Sequence, residues 1–235
     1  MIARTPENST RIFREMRDRR PITIIVRMIE KAGTGERVYL AIKSFLLTDS
    51  DYRPGERVDI GELSRRFGAS ASPVRAALHR MAGERLLVSH QGEGFSFPRL
   101  TEPGLSDLYQ WNAALLVNAL RTGPARTFTP APDIDAVARP IASLETVFSV
   151  LAAQSDNVEV ECAVAGVSDR LRRVRRAELG LVADFGDEVV ELHRLLLDGE
   201  GGAIRTMMVA YHRRRLRLVP TLVRHLHGLA DREPR

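Results

Sequence analysis

A succession of turn and helix-start signals between residues 54 and 94 constrains the fold of this chain more than any other feature. Pro54 and Gly55 form a turn pair, and Gly68 suits the end of a helix because glycine adopts positive φ without a steric penalty. Soon after, Ser70 offers a hydroxyl cap, and Pro73 lies in the first turn of a new helix. The region therefore has to fold as short helices joined by tight turns.

Apolar spacing places helices on both sides of these turns. The stretch Arg37–Thr48 has apolar residues at i, i+4, i+7 and i+8, which predicts an amphipathic helix with a buried stripe of Val38, Ile42, Phe45 and Leu46. Asp59 and Glu62 have the spacing of an acidic capping box. A second, short helix is therefore expected to begin there and to end at Gly68.

The third predicted helix, Ser72–Ala82, has one apolar and one polar face. Its apolar residues at i, i+3, i+4 and i+7 are Val74, Ala77, Leu78 and Met81. Arg75 and His79 lie one turn apart, so they are expected to share the opposite, solvent-facing side.

Two short strands follow the third helix. Leu86–Val88 and Phe95–Phe97 flank a glycine-rich hairpin tip, Ser-His-Gln-Gly-Glu-Gly. A winged helix-turn-helix has this order of elements: two helices, a tight turn, a third helix and a two-stranded wing. We predict this fold over residues 36–100. The third helix of such a domain fits the major groove of DNA, which is about 12 Å wide.

The rest of the chain shows helical patterns only. They begin at Leu105 and continue to Leu229, interrupted by prolines and glycines. The prediction is a mainly α protein, in which an all-α helical bundle over residues 101–235 follows the winged helix.

Positive charge is concentrated at the N-terminal end. The chain has a formal net charge of +5, and residues 1–35 hold eight basic and four acidic residues. Such a basic arm can neutralise DNA phosphates, or it can pack on its own domain through residues 22–29. Charge alone leaves both interpretations open.

Composition and motifs exclude several classes of protein. Cys162 is the single cysteine, which excludes an internal disulfide and fits a reducing cytoplasm, and no apolar stretch near the N-terminus is long enough for a signal peptide or a membrane span. The sequence has no phosphate-binding glycine loop, nucleophile elbow or His-Glu-x-x-His pattern. We therefore expect a cytoplasmic protein that is not an enzyme.

A series of short motifs lies between residues 37 and 98: Val38-Tyr39, Pro54-Gly55-Glu56-Arg57, Glu62-Leu63, Gly68, Ser70, Ser72-Pro73-Val74-Arg75, Ala77-Leu78, and Gly92 and Gly94 in the wing. In these motifs, residues 37–98 resemble the winged-helix domain of the GntR family of bacterial transcription regulators. From Thr101 to about Pro220 the chain looks like the FCD effector domain of the FadR-like branch, through Asp107-Leu-Tyr109, the segment Phe148–Asn157, the segment Arg170–Arg176, Glu191-Leu-His193 and His212. The resemblance implies a homodimeric regulator that binds double-stranded DNA and responds to a small metabolite.

The resemblance also implies which residues touch DNA. The candidates are Arg65, Arg66, Ser70, Ser72, Pro73, Arg75 and His79, with His90, Gly92 and Gly94 in the wing. The family usually has arginine where Ala71 stands and glutamate at Ala76, and some members have arginine at Gly61. A member that has lost operator recognition and acts through protein contacts or ligand binding is therefore the alternative.

Many FCD domains hold a divalent metal, and the corresponding effector-pocket positions here are Asn112, Glu145, Ser149, His193 and His212. Serine is a poor ligand at the position of a family histidine, so only Glu145, His193 and His212 remain as candidate metal ligands. Asn112 replaces a family arginine that can clamp a carboxylate. We therefore expect neither a tightly held metal nor another cofactor.

The two arginine runs of the second half have two interpretations. The arginine runs 170–176 and 213–217 are either a second DNA-binding surface or, as the interleaved leucines and valines favour, solvated faces of packed helices. Leu108, Tyr109 and Trp111 are expected to be core or dimer contacts rather than part of a cofactor site.

Overall fold

The structure is a computed structural model that describes residues 33–49, 52–122 and 134–228. Almost all of the basic arm predicted over residues 1–35, including residues 22–29, lies outside the described residues. The chain divides into two compact units, one ending at Pro98 and the other beginning at Arg99. Each unit has its own hydrophobic core.

The first unit is a winged helix-turn-helix, as predicted. Its elements are α1 (Thr34–Ser44), which runs on into a π-helical turn (Phe45–Asp49), α2 (Ile60–Phe67), α3 (Ala71–Gly83), β1 (Val88–His90) and β2 (Gly94–Ser96). The predicted apolar stripes meet in the core, where the fully buried side chains include Ile42, Leu46, Leu63, Val74, Leu78 and Met81. The amphipathic pattern therefore predicts the packed face of each helix, whereas α1 begins at Thr34 and ends at Ser44, not at the predicted Arg37 and Thr48.

The Asp59 cap and the Gly68 end of α2 are confirmed, whereas the hydroxyl cap predicted for α3 is wrong. The Asp59 carboxylate accepts hydrogen bonds from the backbone N–H groups of Gly61 at 2.7 Å and Glu62 at 3.1 Å, and Gly68 ends α2 with a φ of 60°. Ser70 occupies the N-cap of α3, but its hydroxyl makes no capping bond. One reason is that Pro73, at the third helical position, has no N–H to donate.

The wing is shifted from the predicted strands. The antiparallel pairs are Val88 with Ser96 and His90 with Gly94, whereas the sequence predicted Leu86–Val88 and Phe95–Phe97. The first strand starts later because Leu86 and Leu87 are both buried in the core. On the other side of β2, the Val58 N–H donates to the Phe95 carbonyl at 2.9 Å, which ties the wing to the segment before α2.

The second unit contains only helices among its described residues. They are α4 (Glu102–Thr122), α5 (Pro140–Ala153), α6 (Val158–Leu181), α7 (Phe185–Leu197) and α8 (Gly201–Leu226). Packing of α8 on α4, and of α5 on α6, buries a core that includes Tyr109, Phe148 and Leu171. The predicted mainly α fold with a C-terminal helical bundle is confirmed. Within the described ranges, no helix is both long and apolar enough to span a bilayer.

Candidate functional site

The polar face of α3 is the central feature of the first unit. Arg75 and His79 are both exposed, one turn apart, on the side of α3 opposite Val74 and Leu78. Among the residues that the structure describes, none forms an ion pair or a hydrogen bond with the Arg75 guanidinium. The five N–H donors of the Arg75 guanidinium thus face solvent. In a helix-turn-helix, the helix in this position is the one that enters a DNA groove.

His79 also connects α3 to the wing. Its ring packs edge-to-face on the buried ring of Phe95 in β2, with centroids 4.8 Å apart. The contact joins the exposed face of α3 to the hairpin.

Two exposed arginines on α2 lie beside positions that the sequence analysis singled out. A side chain at Gly61 would begin 3.6 Å from Arg65 Nη1, so the Arg65 guanidinium lies over the glycine where some family members have arginine. The Arg66 guanidinium carbon lies 4.0 Å from the ring centroid of Phe45. Both side chains keep their charge on the surface of the first unit.

The wing tip contains two glycines with positive φ and is held by side-chain hydrogen bonds. Gly92 and Gly94 have φ values of 75° and 91°, which non-glycine residues rarely adopt. Arg57 holds the tip by donating to the Glu93 carbonyl at 2.8 Å and pairing with its carboxylate at 2.5 Å. His90 is exposed, and its Nε2 lies 2.8 Å from the Ser96 hydroxyl across the hairpin.

The start of α3 presents polar groups as well. Ser70 and Ser72 are exposed and Pro73 is half-buried. The free backbone N–H groups of a helix start, together with exposed hydroxyls, suit a phosphate group.

A polar cluster holds the other end of α3 against α1. Glu84 accepts hydrogen bonds from the Tyr39 hydroxyl at 2.6 Å and from Lys43 Nζ at 2.8 Å. Burial opposes ionisation of Glu84, but the bonds from Lys43 and Tyr39 outweigh it and lower its pKa. Arg80 covers the Tyr39 ring, with its guanidinium carbon 3.6 Å from the centroid, and pairs with Glu36 at 2.6 Å. These contacts pack the C-terminal end of α3 against α1.

In the second unit the structure brings together two of the five predicted effector residues. Asn112 on α4 donates from Nδ2 to His212 Nε2 on α8 at 3.0 Å, and His212 Nδ1 donates to the Met208 carbonyl at 2.7 Å. Burial lowers the pKa of His212 to about 4, helped by the charges of Arg175 and Arg215 and opposed by the Met208 hydrogen bond. His212 is therefore a neutral, fully engaged imidazole.

The other three predicted effector residues, Glu145, Ser149 and His193, form no hydrogen bond with Asn112 or His212 among the described residues. Glu145 forms a two-pronged ion pair with Arg172 and a further bond with Arg175 Nη1 at 3.2 Å. Ser149 is exposed on α5, and His193 is half-buried on α7. In the part of the chain that the structure describes, no hydrogen bond or ion pair joins Glu145, His193 and His212, and the buried Nε2 of His193 has no hydrogen-bond partner.

This arrangement does not fit the divalent metal that the FCD resemblance implies. In the described ranges, no three histidine, cysteine, aspartate or glutamate side chains lie close enough to share an ion. Glu145 is held by two arginines, and both ring nitrogens of His212 are hydrogen-bonded. The two nearby guanidinium charges further oppose a cation.

The arginine runs differ from the prediction at two positions. Arg175 on α6 and Arg215 on α8 are both completely buried, so the expectation that these runs are solvated faces is wrong for them. Arg215 donates from Nε to the buried Glu178 at 3.0 Å, and its Nη1 lies 2.5 Å from Glu188. Paired acids thus allow a charged side chain to enter the core.

Aromatic residues surround these two arginines. The Arg215 guanidinium lies 3.7 Å from the centroid of the Tyr211 ring, and that of Arg175 lies 5.2 Å from the centroid of Phe148. The Tyr109 hydroxyl donates a short hydrogen bond to Glu178. Burial, and then the nearby Glu178 carboxylate, raise the pKa of Tyr109, so it is a neutral donor. We call Asn112, Phe148, Arg175, Glu178, Tyr211, His212 and Arg215 the bundle cluster.

Two of the three aromatic and leucine contacts predicted on α4 are in the core. Leu108 and Tyr109 are buried, but 52% of Trp111 is exposed. The core interpretation is therefore wrong for Trp111, and a contact with a second copy remains a prediction.

Comparison with known proteins concerns mainly the first unit. Residues 34–97, from α1 to just beyond β2, match the family model described as bacterial regulatory proteins, gntR family. The HTH-type transcriptional regulator YdhC of Bacillus subtilis is 31% identical over 65 residues, which cover 28% of this chain and 29% of that protein. The Nta operon transcriptional regulator of Aminobacter aminovorans is 39% identical over 71 residues, which cover 30% and 33%. The matched stretch thus spans about a third of the length of these relatives.

Two solved structures share the fold over most of the chain. A GntR transcriptional regulator from Rhodococcus sp. RHA1 gives a TM-score of 0.63 at 17% identity, covering 80% of this chain and 97% of that one. McbR/YncC of E. coli gives a TM-score of 0.58 at 14% identity, covering 81% and 98%. At this identity the likeness concerns the architecture alone, a winged helix followed by a helical bundle.

Proposed function

We propose that this chain, whose residues 34–97 form a GntR-type winged helix-turn-helix, is a DNA-binding transcription regulator with a helical C-terminal domain that dimerises and senses a small molecule. The observation that carries the proposal is the exposed Arg75 on α3, within the segment that matches the family model. The relatives matched over that segment are both named as transcriptional regulators. The protein would act in the cytoplasm, and not as an enzyme.

In this proposal α3 enters the major groove and Arg75 reads a guanine. Arginine binds guanine O6 and N7 in two-pronged fashion, which contributes about 1–3 kcal/mol of discrimination between bases. The start of α3 and the wing contact phosphates, which position the domain without reading the sequence.

Arg65 is the residue best placed to compensate for the absent family arginines. Its guanidinium lies over Gly61, so a charged group occupies that region although the backbone position has no side chain. Arg65 is therefore proposed as a second DNA contact, and its lost contribution would add to that of Arg75.

Support for a sensing domain comes from the polar bundle cluster at the centre of the second unit. Most protein cores are apolar, because a buried charged group lowers stability unless it is paired. Clusters of buried charged groups are therefore often found at functional sites. Support for a dimer comes from the exposed side chain of Trp111. We propose that neither sensing nor dimerisation uses a metal.

In vitro selection from random double-stranded DNA with the full chain tests the proposal. We expect an enriched motif, and a roughly 5- to 100-fold loss of affinity for it in Arg75→Ala. Arg205→Ala removes one exposed arginine from α8 and is the charge-matched control. Failure to enrich any motif would favour the alternative, a relative without operator recognition that acts by protein contacts or ligand binding.

A further inference from the structure

An ion pair between Arg57 and Glu93 lies at the tip of the wing. Arg57 Nη1 donates to the Glu93 backbone carbonyl at 2.8 Å, and Arg57 Nη2 lies 2.5 Å from the Glu93 carboxylate. Both side chains are 63% exposed. The two residues are 36 positions apart in the sequence, so the fold brings them together and not their spacing along one helix.

These two residues set the charge of the hairpin. From Val88 to Ser96 the sequence has no lysine or arginine, and Glu93 is its one acidic residue. Within the part of the chain that the structure describes, Arg57 pairs with no other acid and Glu93 with no other base. The carboxylate of the wing is therefore neutralised by Arg57, and the guanidinium of Arg57 is neutralised in turn.

The backbone places Arg57 beside the hairpin independently of this ion pair. Arg57 forms an antiparallel bridge with Ser96, and the Val58 N–H donates to the Phe95 carbonyl at 2.9 Å. The segment before α2 thus lies along β2. Arg57 would therefore stay beside the wing if its side chain left the Glu93 carboxylate.

A neutral wing tip gains little from contact with DNA phosphates. In the proposed function the wing contacts phosphates, and such contacts increase affinity because cationic side chains neutralise phosphates and release counterions. A carboxylate at the same place repels phosphate and competes with it for the guanidinium. Because an exposed ion pair contributes little free energy, a phosphate of DNA can displace the Glu93 carboxylate.

We propose that Arg57 is the phosphate-binding residue of the wing and that Glu93 limits the affinity for DNA by competing with phosphate for the Arg57 guanidinium. The inference rests on the proposed DNA-binding function. It adds to that function one residue that contacts DNA and one residue that weakens the contact, neither of which is among the DNA-binding candidates of the sequence analysis.

A double-mutant cycle on the full chain tests the competition. Glu93→Gln removes the charge but keeps a side-chain oxygen, and the bond from Arg57 to the backbone carbonyl of residue 93 is retained. In fluorescence anisotropy at fixed salt, Glu93→Gln should bind DNA about 2- to 5-fold more tightly than the parent. Because phosphate contacts do not depend on sequence, the gain should be the same for a selected site and for a scrambled fragment.

The gain in affinity should depend on Arg57. If Glu93 only repels DNA, its substitution gives the same gain in the parent and in Arg57→Met, because the change in charge is identical. Competition predicts a gain at least about twofold smaller in Arg57→Met, where no ion pair has to open. Glu161→Gln, at an exposed position on α6, changes the net charge by the same amount and should leave the affinity unchanged.

The slope of log affinity against log salt gives a second readout. Arg57→Met should reduce its magnitude by about 0.9, the value for one phosphate contact on double-stranded DNA. Equal slopes in Arg57→Met and the parent, or equal gains in the two backgrounds, overturn the proposal. Weaker binding by Glu93→Gln also overturns it, because the carboxylate would then support the wing and not compete with DNA.

The same measurements separate this inference from the proposed function. If the parent binds the selected and scrambled fragments equally, operator recognition fails, while a coupled cycle on scrambled DNA still supports the competition. If the parent binds its site specifically but the two substitutions are additive, the inference alone is refuted. A parent that binds no DNA refutes both.

Discussion

The buried imidazole of His212 makes a quantitative prediction about stability and pH. In the folded protein its pKa is about 4, against 6.5 for an ordinary histidine. Burial is the main cause, and the charges of Arg175 and Arg215 act in the same direction. As the pH falls below 6.5 the unfolded chain binds a proton that folded His212 does not, so the free energy of unfolding decreases until the pH approaches 4.

The size of the effect follows from the two pKa values. Between about pH 7 and about pH 5, this one group should remove about 2 kcal/mol from the free energy of unfolding of the second unit. Groups other than His212 titrate in the same range, so the comparison that matters is between the parent and His212→Asn. The asparagine does not titrate, and the variant should lose about 2 kcal/mol less than the parent over this interval, whatever its stability at neutral pH.

Urea unfolding followed by Trp111 fluorescence measures the second unit alone, because the chain has one tryptophan. His225→Asn is the matched control, since His225 is an exposed histidine on the same helix. It should keep the pH dependence of the parent. A pH dependence of His212→Asn equal to that of the parent within about 0.5 kcal/mol would refute the account of a neutral, buried His212.

Three further predictions concern the arm, the dimer and the metal. Deleting residues 4–31 should flatten the slope of log affinity against log salt for DNA, because fewer counterions are released; an unchanged slope would place the arm away from DNA. Trp111→Ser should weaken the proposed dimer, as measured by light scattering at micromolar protein concentration. Leu197→Ser, at an exposed position on α7, is the control and should dimerise like the parent. Equal dimerisation of Trp111→Ser and the parent would exclude Trp111 from the interface. Protein purified without a histidine tag should contain far less than one zinc, nickel or manganese per chain by elemental analysis, and a stoichiometric metal would show that the site has been misplaced.

Local signals predicted the first unit closely because they act within a few residues. Asp59 and Gly68 delimit α2 through hydrogen bonding and backbone conformation that involve only near neighbours. The exceptions have equally local causes. Pro73 removes a donor that the Ser70 cap needs, and burial of Leu86 and Leu87 delays the start of the wing.

The bundle cluster was harder to predict because its members come from separate helices. The FCD resemblance predicts Asn112 and His212 as effector residues, and the two form a direct hydrogen bond although they are 100 positions apart. The interleaved leucines and valines predict that their neighbours Arg175 and Arg215 lie on solvated faces. The spacing of residues along α6 does indicate that Arg175 is buried. Arg175 and Glu178 continue the apolar stripe of Leu171 and Val174, so a charged pair was aligned with the core.

The candidate metal ligands Glu145, His193 and His212 come from the FCD resemblance, which does not show what else each side chain contacts. Glu145 lies on α5 at a position from which it reaches α6, where Arg172 and Arg175 occupy it. Nothing in the local sequence around Glu145 indicates this pairing, because the partners are about 30 residues further along the chain. A ligand set inferred from a resemblance therefore needs a test of what else each side chain contacts.

The most direct test of the central claim is the ratio of affinities for a selected DNA site and for a scrambled fragment of the same length at one fixed salt concentration. Fluorescence anisotropy with the full chain should give a ratio of about 10³ or more, the range of specific regulators. Arg75→Ala should reduce this ratio while leaving affinity for the scrambled fragment within a few-fold, since one phosphate-independent contact is lost. Equal affinity for both fragments, or an unchanged ratio in Arg75→Ala, would contradict recognition of DNA by the exposed face of α3.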